Sequence, residues 1–132
     1  MTAARQLLGL RGERIAEEWL VRKGWRVLER RFRSGHRDID LVVERVGAEG
    51  RLIAFVEVKT RVSSGYGGPL GAVHWRQQRE MARAARDWMA QCLSPVTSLG
   101  SPVASFRFDV VGVIYGQGPT EVIHIENAFH LR

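Results

Sequence analysis

The sequence predicts an α/β fold in which a mixed β-sheet is flanked by helices, with the elements in the order αβββαββ. Two long segments carry apolar residues at helical spacing, one near the N-terminus and one in the middle of the chain. Apolar segments on either side of the 47–50 turn predict an antiparallel hairpin, and further strand-like segments follow the second helix. The 132 residues are expected to form a single domain, 1–132, because domains most often contain about 100–150 residues.

The first helix is defined by its cap, its stop signal and its apolar face. Thr2 is expected to cap this helix, which runs to Lys23 and is stopped by Gly24. The spacing of its apolar residues places them on one helical face that turns toward the sheet. These residues are Ile15, Ala16, Trp19 and Leu20.

Five strands are expected, with two long connections among them. The segment 52–60 is apolar through Leu-Ile-Ala-Phe-Val, which predicts a central strand buried on both faces. The Gly-rich residues 63–71 and the Ser- and Pro-containing residues 94–105 are expected to be loops. The strands are predicted at residues 25–32, 38–44, 52–60, 106–115 and 121–125, with turns at 34–36, 47–50 and 116–119.

The composition argues against a membrane or secreted protein. No segment approaches the roughly 18 continuous apolar residues of a membrane span, and the first residues lack the apolar segment of a secretory signal. Cys92 is the only cysteine, so no internal disulfide is expected, and its helical surroundings predict an inert thiol in the core. Together these features predict a protein of the reducing cytoplasm that does not contact a membrane.

The charge of the chain bears on its partners more than on its fold. The formal net charge is +6 and the pI is about 10.6. Residues 1–36 hold nine Lys/Arg against four Glu, whereas residues 101–132 hold two Lys/Arg against three acidic residues. A basic and asymmetric chain most often binds nucleic acid. The alternative is an arginine-rich proteome, because 18 of the 20 basic residues are Arg.

The second helix, expected at residues 71–93, separates arginines from apolar side chains. The arginines could bind phosphates by counterion release, and the alternative is a solvated helix face. Gln77 is the polar exception on the apolar side, where its amide could reach a site on the sheet. The arginines are Arg76, Arg79, Arg83 and Arg86, and the apolar face is formed by Met81, Ala85, Trp88 and Cys92.

Charged side chains at the end of the central strand indicate a candidate metal site. Side chains alternate across a strand, so Glu57 and Lys59 share a face with the apolar residues Ile53 and Phe55. Two charges in that position are costly to bury unless they are paired or bound to a metal. The alternative is a simple ion pair at a strand end, which explains most isolated Glu-x-Lys pairs.

The preceding strand of the hairpin supplies further carboxylates. Asp38 and Asp40 are expected to share one face of this strand, and Asp40 to lie near the level of Glu57. Two carboxylates there would bind a hard cation such as Mg²⁺ or Mn²⁺ through oxygen. Such a cation polarises a phosphate and lowers the pKa of a bound water, while the nearby lysine offsets transition-state charge. The apolar residues expected on the opposite face are Ile39 and Leu41.

Glu13 projects from the margin of the first helix's apolar face and is a candidate third acidic ligand or holder of a water. Its alternative role is a charge that the helix dipole favours in the N-terminal half of the helix.

Arg107 and Asp109 share a strand face and are expected to form a structural pair. The four histidines show no zinc-site spacing.

Several short motifs, spread from about Gly9 to Phe129, occur together in a known family. They are Gly12-Glu13-x-x-Ala16, Gly24, Asp38-Ile39-Asp40-Leu41, Phe55-Val56-Glu57-Val58-Lys59-Thr60-Arg61, Gly67, Arg107-Phe108-Asp109-Val110 and Asn127-Ala128-Phe129. In this combination they resemble the bacterial YraN-type family. The resemblance implies a PD-(D/E)xK endonuclease-like fold, with a restriction-endonuclease-like core as in Holliday-junction resolvases.

The resemblance also implies roles for individual residues, with two departures from the family pattern. Asp40, Glu57 and Lys59 would form the catalytic core, and Glu13 would match the helical acidic residue of resolvase-like members. Where the family usually has Gly-Glu-Ile-Asp, this chain has Arg37-Asp38-Ile39-Asp40. The key Asp is kept, and the acidic side chain two residues before it is shorter. The basic residue usual early in the second helix is Gln77. Both departures bear on the strength of activity more than on the fold.

These observations lead to one leading hypothesis and two alternatives. The first is an endonuclease for branched or otherwise structured DNA, with Mg²⁺ or Mn²⁺ held by Asp40, Glu57 and the Val58 carbonyl. Lys59 would position the attacking water, and Arg61 would join the helix arginines in binding DNA. The alternatives are a nucleic-acid-binding module of the same fold with little or no activity, and a protein-interaction scaffold. A homodimer is left open.

Overall fold

The computed structural model describes residues 3–62, 74–92, 103–116 and 118–130, and these contain two helices and five strands in the predicted order αβββαββ. The loop predicted at 63–71, the start of the second helix at 71 and most of the connection at 94–105 lie outside the described residues. The elements are α1 (Ala3–Arg22), β1 (Arg26–Ser34), β2 (Arg37–Gly47), β3 (Gly50–Val62), α2 (Trp75–Cys92), β4 (Val103–Tyr115) and β5 (Glu121–Phe129).

The five strands form one mixed sheet in sequence order, β1-β2-β3-β4-β5. The pairs β1–β2, β2–β3 and β4–β5 are antiparallel, whereas β3 and β4 are parallel. A parallel pair needs a crossover connection, and α2 lies in the chain between these two strands. The prediction of a mixed sheet flanked by helices is confirmed, and the architecture is that of a restriction-endonuclease-like α/β fold.

The sheet is covered on both faces, and β3 lies at its centre. On the α2 face, Ile53 and Phe55 cluster with Trp88. On the α1 face, Ala54 and Val56 cluster with Leu20. These four β3 side chains are fully buried, so the prediction of a central strand buried on both faces is confirmed.

α1 approaches β3 closely at one glycine. A Cβ atom on Gly12 would lie 2.1 Å from Oγ1 of Thr60, so a side chain larger than hydrogen does not fit without movement. The helix therefore packs directly on the sheet at this point. This contact fixes the position of the next residue, Glu13, over the ends of the central strands.

The predicted alternation of β2 is wrong at Asp40. Ile39 and Leu41 were expected on one face, yet Ile39 clusters under α2 and Leu41 under α1. Their partners on β1 are Phe32 and Arg30, and the residue between those partners, Arg31, has a φ of 50°. The left-handed residue on β1 marks irregular backbone beside Asp40, where Ile39 and Leu41, two residues apart on β2, point to opposite faces.

Strands β4 and β5 are both longer than predicted. β4 begins at Val103, inside the segment expected to be a loop, and β5 continues to Phe129 rather than stopping at Ile125. The β4–β5 register shifts between Phe108 and Val110, and Asn127 has a φ of 54°. A bulge of this kind lets a strand continue through a polar segment, which simple apolar periodicity does not reveal.

Two expectations from composition have different outcomes. Neither α1 nor α2 is both long enough and apolar enough to cross a membrane. The prediction that Cys92 is a core thiol is wrong, because this residue is exposed. Cys92 is the C-terminal residue of α2, whereas the part of this helix that is buried in the core ends at Trp88.

Candidate metal centre

The candidate site forms where β2 and β3 separate. Their antiparallel register runs from Gly47 opposite Gly50 to Leu41 opposite Val56, and one further step would pair Asp40 with Glu57. At this position the Val58 N–H donates to Oδ2 of Asp40 at 2.7 Å. A carboxylate thus takes the place of a backbone acceptor, which brings the side chain of Asp40 to the edge of β3.

Burial dominates the electrostatics of the two central carboxylates. Burial raises the pKa of Asp40 to about 7, although the hydrogen bond from the Val58 N–H lowers it. The charges of Glu13 and Asp38 raise this pKa further. Burial also raises the pKa of Glu57 to about 8, and the Asp40 and Asp38 carboxylates act in the same direction. Each ionised carboxylate therefore disfavours ionisation of the other, as expected for two like charges in one site.

Gln77 connects the second helix to this site. Its Nε2 donates to Oε1 of Glu57 at 2.9 Å. This hydrogen bond lowers the pKa of Glu57, but burial raises that pKa by more. The sequence-based expectation that the amide could reach the site is confirmed. Because α2 packs on the sheet through Met81 and Trp88, the helix holds Gln77 in a defined position.

Lys59 and Arg61 follow Glu57 along β3, and both are half-buried. Burial and the Arg61 charge lower the pKa of Lys59, and the Glu57 carboxylate opposes this effect. Nη1 of Arg61 donates to the Thr60 carbonyl oxygen at 2.9 Å. The lysine is thus electrostatically coupled to the carboxylate two residues before it, as the strand alternation predicted.

Glu13 reaches the same region from α1. It lines a cleft together with Asp40 and Leu41, and its side chain is 20% exposed. Its Oε1 is buried without a hydrogen bond, and the nearest cation is Arg31, whose Nε lies 3.6 Å away. Burial raises the pKa of Glu13, Arg31 lowers it and Asp38 raises it.

Asp38 contributes to this electrostatic environment from the surface. Its side chain is exposed, and its negative charge acts on Glu13, Asp40 and Glu57. Asp38 therefore lies close enough to the carboxylates to influence them, while remaining in contact with solvent. Its backbone pairs with Arg33 of β1.

The donor set of the site suits a hard cation. Asp40 of β2 and Glu57 of β3 offer carboxylate oxygens, and Val58 of β3 offers its carbonyl oxygen. These are the ligand types of Mg²⁺ and Mn²⁺. Within the described parts of the chain, no group of three or more His, Cys, Asp or Glu side chains is arranged to hold a metal ion. Glu13 is therefore not part of a three-carboxylate cluster in the described residues, and the candidate ligands remain Asp40, Glu57 and the Val58 carbonyl.

Arg31 also lies at the site, although the sequence did not predict it. It lines the cleft with Glu13 and Asp40, and its charge lowers the pKa of both carboxyl groups. Its left-handed φ of 50° is a conformation that favours Gly or Asn, so an arginine gives no local sign of it. Non-glycine residues with such strained backbone are concentrated at functional sites.

The arginines of α2 form a surface of their own. Arg76, Arg79 and Arg83 are exposed and line one groove together with Trp75. They lie on the side of the helix opposite to Met81 and Ala85, as the helical spacing predicted. Their role in binding nucleic acid stays a prediction.

Asp109 lies outside the site in a satisfied buried network. Arg107 donates to both of its oxygens at 2.8 and 2.9 Å, which confirms the predicted structural pair. The Asn127 N–H donates to Oδ1 at 2.9 Å, and His124 Nε2 lies 2.7 Å from Oδ2. His124 was not expected here, because a single histidine on a short strand carries no spacing signal.

The chain matches a family model over residues 12–113, that of "Uncharacterised protein family UPF0102". This range includes Glu13, Asp40, Glu57, Lys59 and Gln77.

Similar proteins named UPF0102 occur in several bacteria. The chain is 41% identical over 128 residues to a protein of Trichlorobacter lovleyi, covering 96% of this chain and 92% of the relative. It is 39% identical over 122 residues to one of Alkaliphilus metalliredigens, covering 92% of this chain and 96% of the relative. It is 37% identical over 125 residues to one of Anaeromyxobacter dehalogenans, covering 95% of this chain and 85% of the relative. The resemblance found in the motifs is thereby confirmed, and the chain belongs to the uncharacterised UPF0102, or YraN-type, family.

Proposed function

We propose that this protein is a Mg²⁺- or Mn²⁺-dependent endonuclease that hydrolyses phosphodiester bonds in structured DNA. The observation that carries the proposal is the pair of half-buried carboxylates, Asp40 and Glu57, at the point where β2 and β3 separate, where burial raises the pKa of each. Two buried like charges are costly unless a cation balances them. Lys59 adds a positive group on the same strand.

Each residue of the site has a defined task in this proposal. Asp40, Glu57 and the Val58 carbonyl would hold the cation, which when bound would supply a Lewis acid for the scissile phosphate. The Val58 N–H orients Asp40, and Gln77 orients Glu57. Lys59 holds the attacking water and offsets the negative charge that develops in the transition state. Glu13 is assigned the role of proton acceptor, because it lines a cleft with Asp40 and burial raises its pKa.

DNA is the proposed partner because the chain carries a net charge of +6. The exposed Arg76, Arg79 and Arg83 and the half-buried Arg61 supply guanidinium groups for phosphates. The protein would act in the cytoplasm, where DNA of this kind is accessible in bacteria. Branched or flapped DNA is the expected substrate, in line with the family resemblance.

The test of this proposal compares cleavage by the wild type with Lys59→Ala, Asp40→Asn and Glu57→Gln. Branched, flapped, single-stranded and duplex DNA are incubated with Mg²⁺ or Mn²⁺. Lys59→Ala is expected to lower the cleavage rate by about 10²–10³-fold, since it removes one transition-state group. DNA affinity should change little, because binding is spread over many phosphate contacts.

Arg22→Ala is the control for loss of one positive charge, because Arg22 is exposed at the end of α1 and outside the site. Thermal unfolding of every variant separates loss of the site from loss of the fold. If the wild type cuts none of these DNA forms with either metal, the enzyme proposal fails and a nucleic-acid-binding module replaces it. If the wild type also binds no DNA, the protein is an interaction scaffold.

A further inference from the structure

A groove of about 570 Å³ is lined by one side of α2 and by His130, which follows β5. This volume lies within the range of about 300–1,000 Å³ that is typical of sites for small molecules. The lining side chains from α2 that matter here are Trp75, Arg79, Ala82, Arg83 and Arg86.

The groove is positively charged and lacks a compensating acid. No Asp or Glu is among its lining residues, and Arg79, Arg83 and Arg86 form no ion pair with any described residue. The acidic residue Glu80 lines a neighbouring pocket that shares Trp75, Arg79 and Arg83 with the groove, and its Oε1 lies 3.5 Å from Nε2 of His36. Three uncompensated guanidinium groups on one side of a helix favour an anionic ligand.

Trp75 adds an aromatic surface to these charges. It is the first residue of α2 and is 54% exposed, whereas Trp25 and Trp88 are each 3% exposed. The guanidinium carbons of Arg76 and Arg79 lie 5.4 and 5.7 Å from the centre of its ring. An exposed indole surrounded by arginines is the combination with which proteins hold a base by stacking and its phosphates by charge.

We propose that this groove binds an unpaired nucleotide, with its base stacked on Trp75 and the adjoining phosphates on Arg79, Arg83 and Arg86. The inference rests on the proposed action on nucleic acid and names its substrate class, DNA with a single-stranded segment. In an intact duplex the base faces are covered by neighbouring bases, so only an unpaired base offers a face to Trp75.

The groove and the metal centre share the first turn of α2. Gln77 follows Trp75 by two residues and faces the sheet, where it donates to Glu57. The helix advances by about 1.5 Å and 100° per residue, so Trp75 and Gln77 differ by about 3 Å along its axis but point to different sides of it. The groove and the metal centre therefore lie on different sides of α2 near its first turn.

The test measures binding in EDTA, so that no cleavage is required. Fluorescence anisotropy compares a single-stranded oligonucleotide with a blunt duplex of the same length. Trp75→Ala is expected to weaken single-strand binding by about 5- to 150-fold, the range for loss of one base-stacking ring. Duplex affinity should stay within about twofold, since duplex binding depends on phosphate contacts. Trp75→Phe should retain most single-strand binding.

Two control variants distinguish stacking from charge. Arg79→Ala with Arg83→Ala should weaken both ligands and reduce the slope of log affinity against log salt by about 1.4 for single strands and about 1.8 for duplex. Arg22→Ala, which lies outside the groove, should lower both affinities only slightly. Oligonucleotide quenching of tryptophan fluorescence should also be lost in Trp75→Ala, because this is the most exposed tryptophan in the described residues.

Three results would overturn the inference. The first is that Trp75→Ala leaves single-strand binding unchanged, and the second is that it weakens duplex and single-strand binding equally. The third is that a polyglutamate peptide competes as well as the oligonucleotide, which would make an acidic protein segment the ligand. Each of these outcomes is independent of catalysis. If duplex DNA is still cleaved while one of them is found, only the groove assignment fails and the nuclease proposal stands.

Discussion

At the scale of single residues, the raised pKa values of Asp40 and Glu57 predict an inverse dependence of stability on pH. Unfolded carboxyl groups titrate near pH 4, about 3.9 for Asp and 4.3 for Glu. In the folded protein the same groups hold their protons up to about pH 7 and about pH 8. The folded state therefore binds more protons between these limits, and the free energy of unfolding falls as pH rises from about 4 to about 8.

Mg²⁺ should reverse this loss of stability. A cation binds the ionised carboxylates, so it is expected to raise the melting temperature at about pH 8 and to have little effect at about pH 5. Calorimetry with Mg²⁺ or EDTA at both pH values measures the effect. Asp40→Asn with Glu57→Gln is the control, which should remove both the pH dependence and the Mg²⁺ effect. A Mg²⁺ effect that persists in this double variant would show that the cation binds elsewhere.

Arg31 leads to a second prediction at this scale. Its φ of 50° is unfavourable for an arginine and acceptable for an asparagine, so Arg31→Asn should stabilise the fold by about 0.5–1 kcal/mol. Arg33→Asn is the matched control on the same strand, because Arg33 is exposed and has no positive φ. Chemical denaturation of the two variants is the measurement. Equal effects of both substitutions would contradict the role of backbone strain.

The residue scale also marks the limit of sequence reasoning about the site. Hairpin closure predicted that Asp40 lies near Glu57, and helical spacing predicted the reach of Gln77. The backbone of Arg31 and the contact of His124 with Asp109 depend on tertiary packing. No local pattern of residues carries that information, so neither was predicted.

At the scale of the elements, the contact of α1 with β3 predicts opposite effects for two glycines of one helix. Gly12→Ala places a Cβ against Thr60, a stiff β-branched residue, and is expected to cost a net of about 1–2 kcal/mol. Gly9→Ala meets no atom within 4 Å. This second change should stabilise the helix by about 0.5–1 kcal/mol.

Denaturant unfolding of the two single variants tests this prediction. Gly12→Ala combined with Thr60→Ala should recover part of the lost stability, because the Oγ1 that obstructs the new Cβ is removed. A stabilising effect of Gly12→Ala alone would mean that α1 does not pack so closely on β3.

Helices and strands were predicted correctly where a single pattern of apolar residues dominated the segment. Uninterrupted apolar residues identified β3, and 3.6-residue periodicity identified both faces of α2. The pattern failed at Ile39 and Leu41 and at the ends of β4 and β5, where irregular backbone changes the side-chain alternation. Periodicity assumes regular geometry, so a bulge or a left-handed residue is invisible to it.

At the scale of the whole molecule, the charge of +6 predicts salt-sensitive binding to duplex DNA. Each phosphate contact contributes a slope of about −0.9 to log affinity against log salt concentration. Arg79→Glu with Arg83→Glu should make this slope less negative, and Arg22→Glu serves as a control at a position away from α2. Filter binding or anisotropy at several salt concentrations measures the slope. A slope of zero would mean that the basic surface does not contact phosphates.

The order of pairing in the sheet has a consequence for how the site assembles during folding. β1, β2 and β3 are joined by short turns, so their contacts are local in sequence and form at low entropic cost. The parallel partners Ile53 and Phe106, by contrast, meet only after the chain that contains α2 has been closed into a loop. The bond from Val58 to Asp40 belongs to the early hairpin, whereas the bond from Gln77 to Glu57 belongs to the late docking of α2. A folding intermediate of this protein would therefore hold one carboxylate in its native position while the other was still free to move.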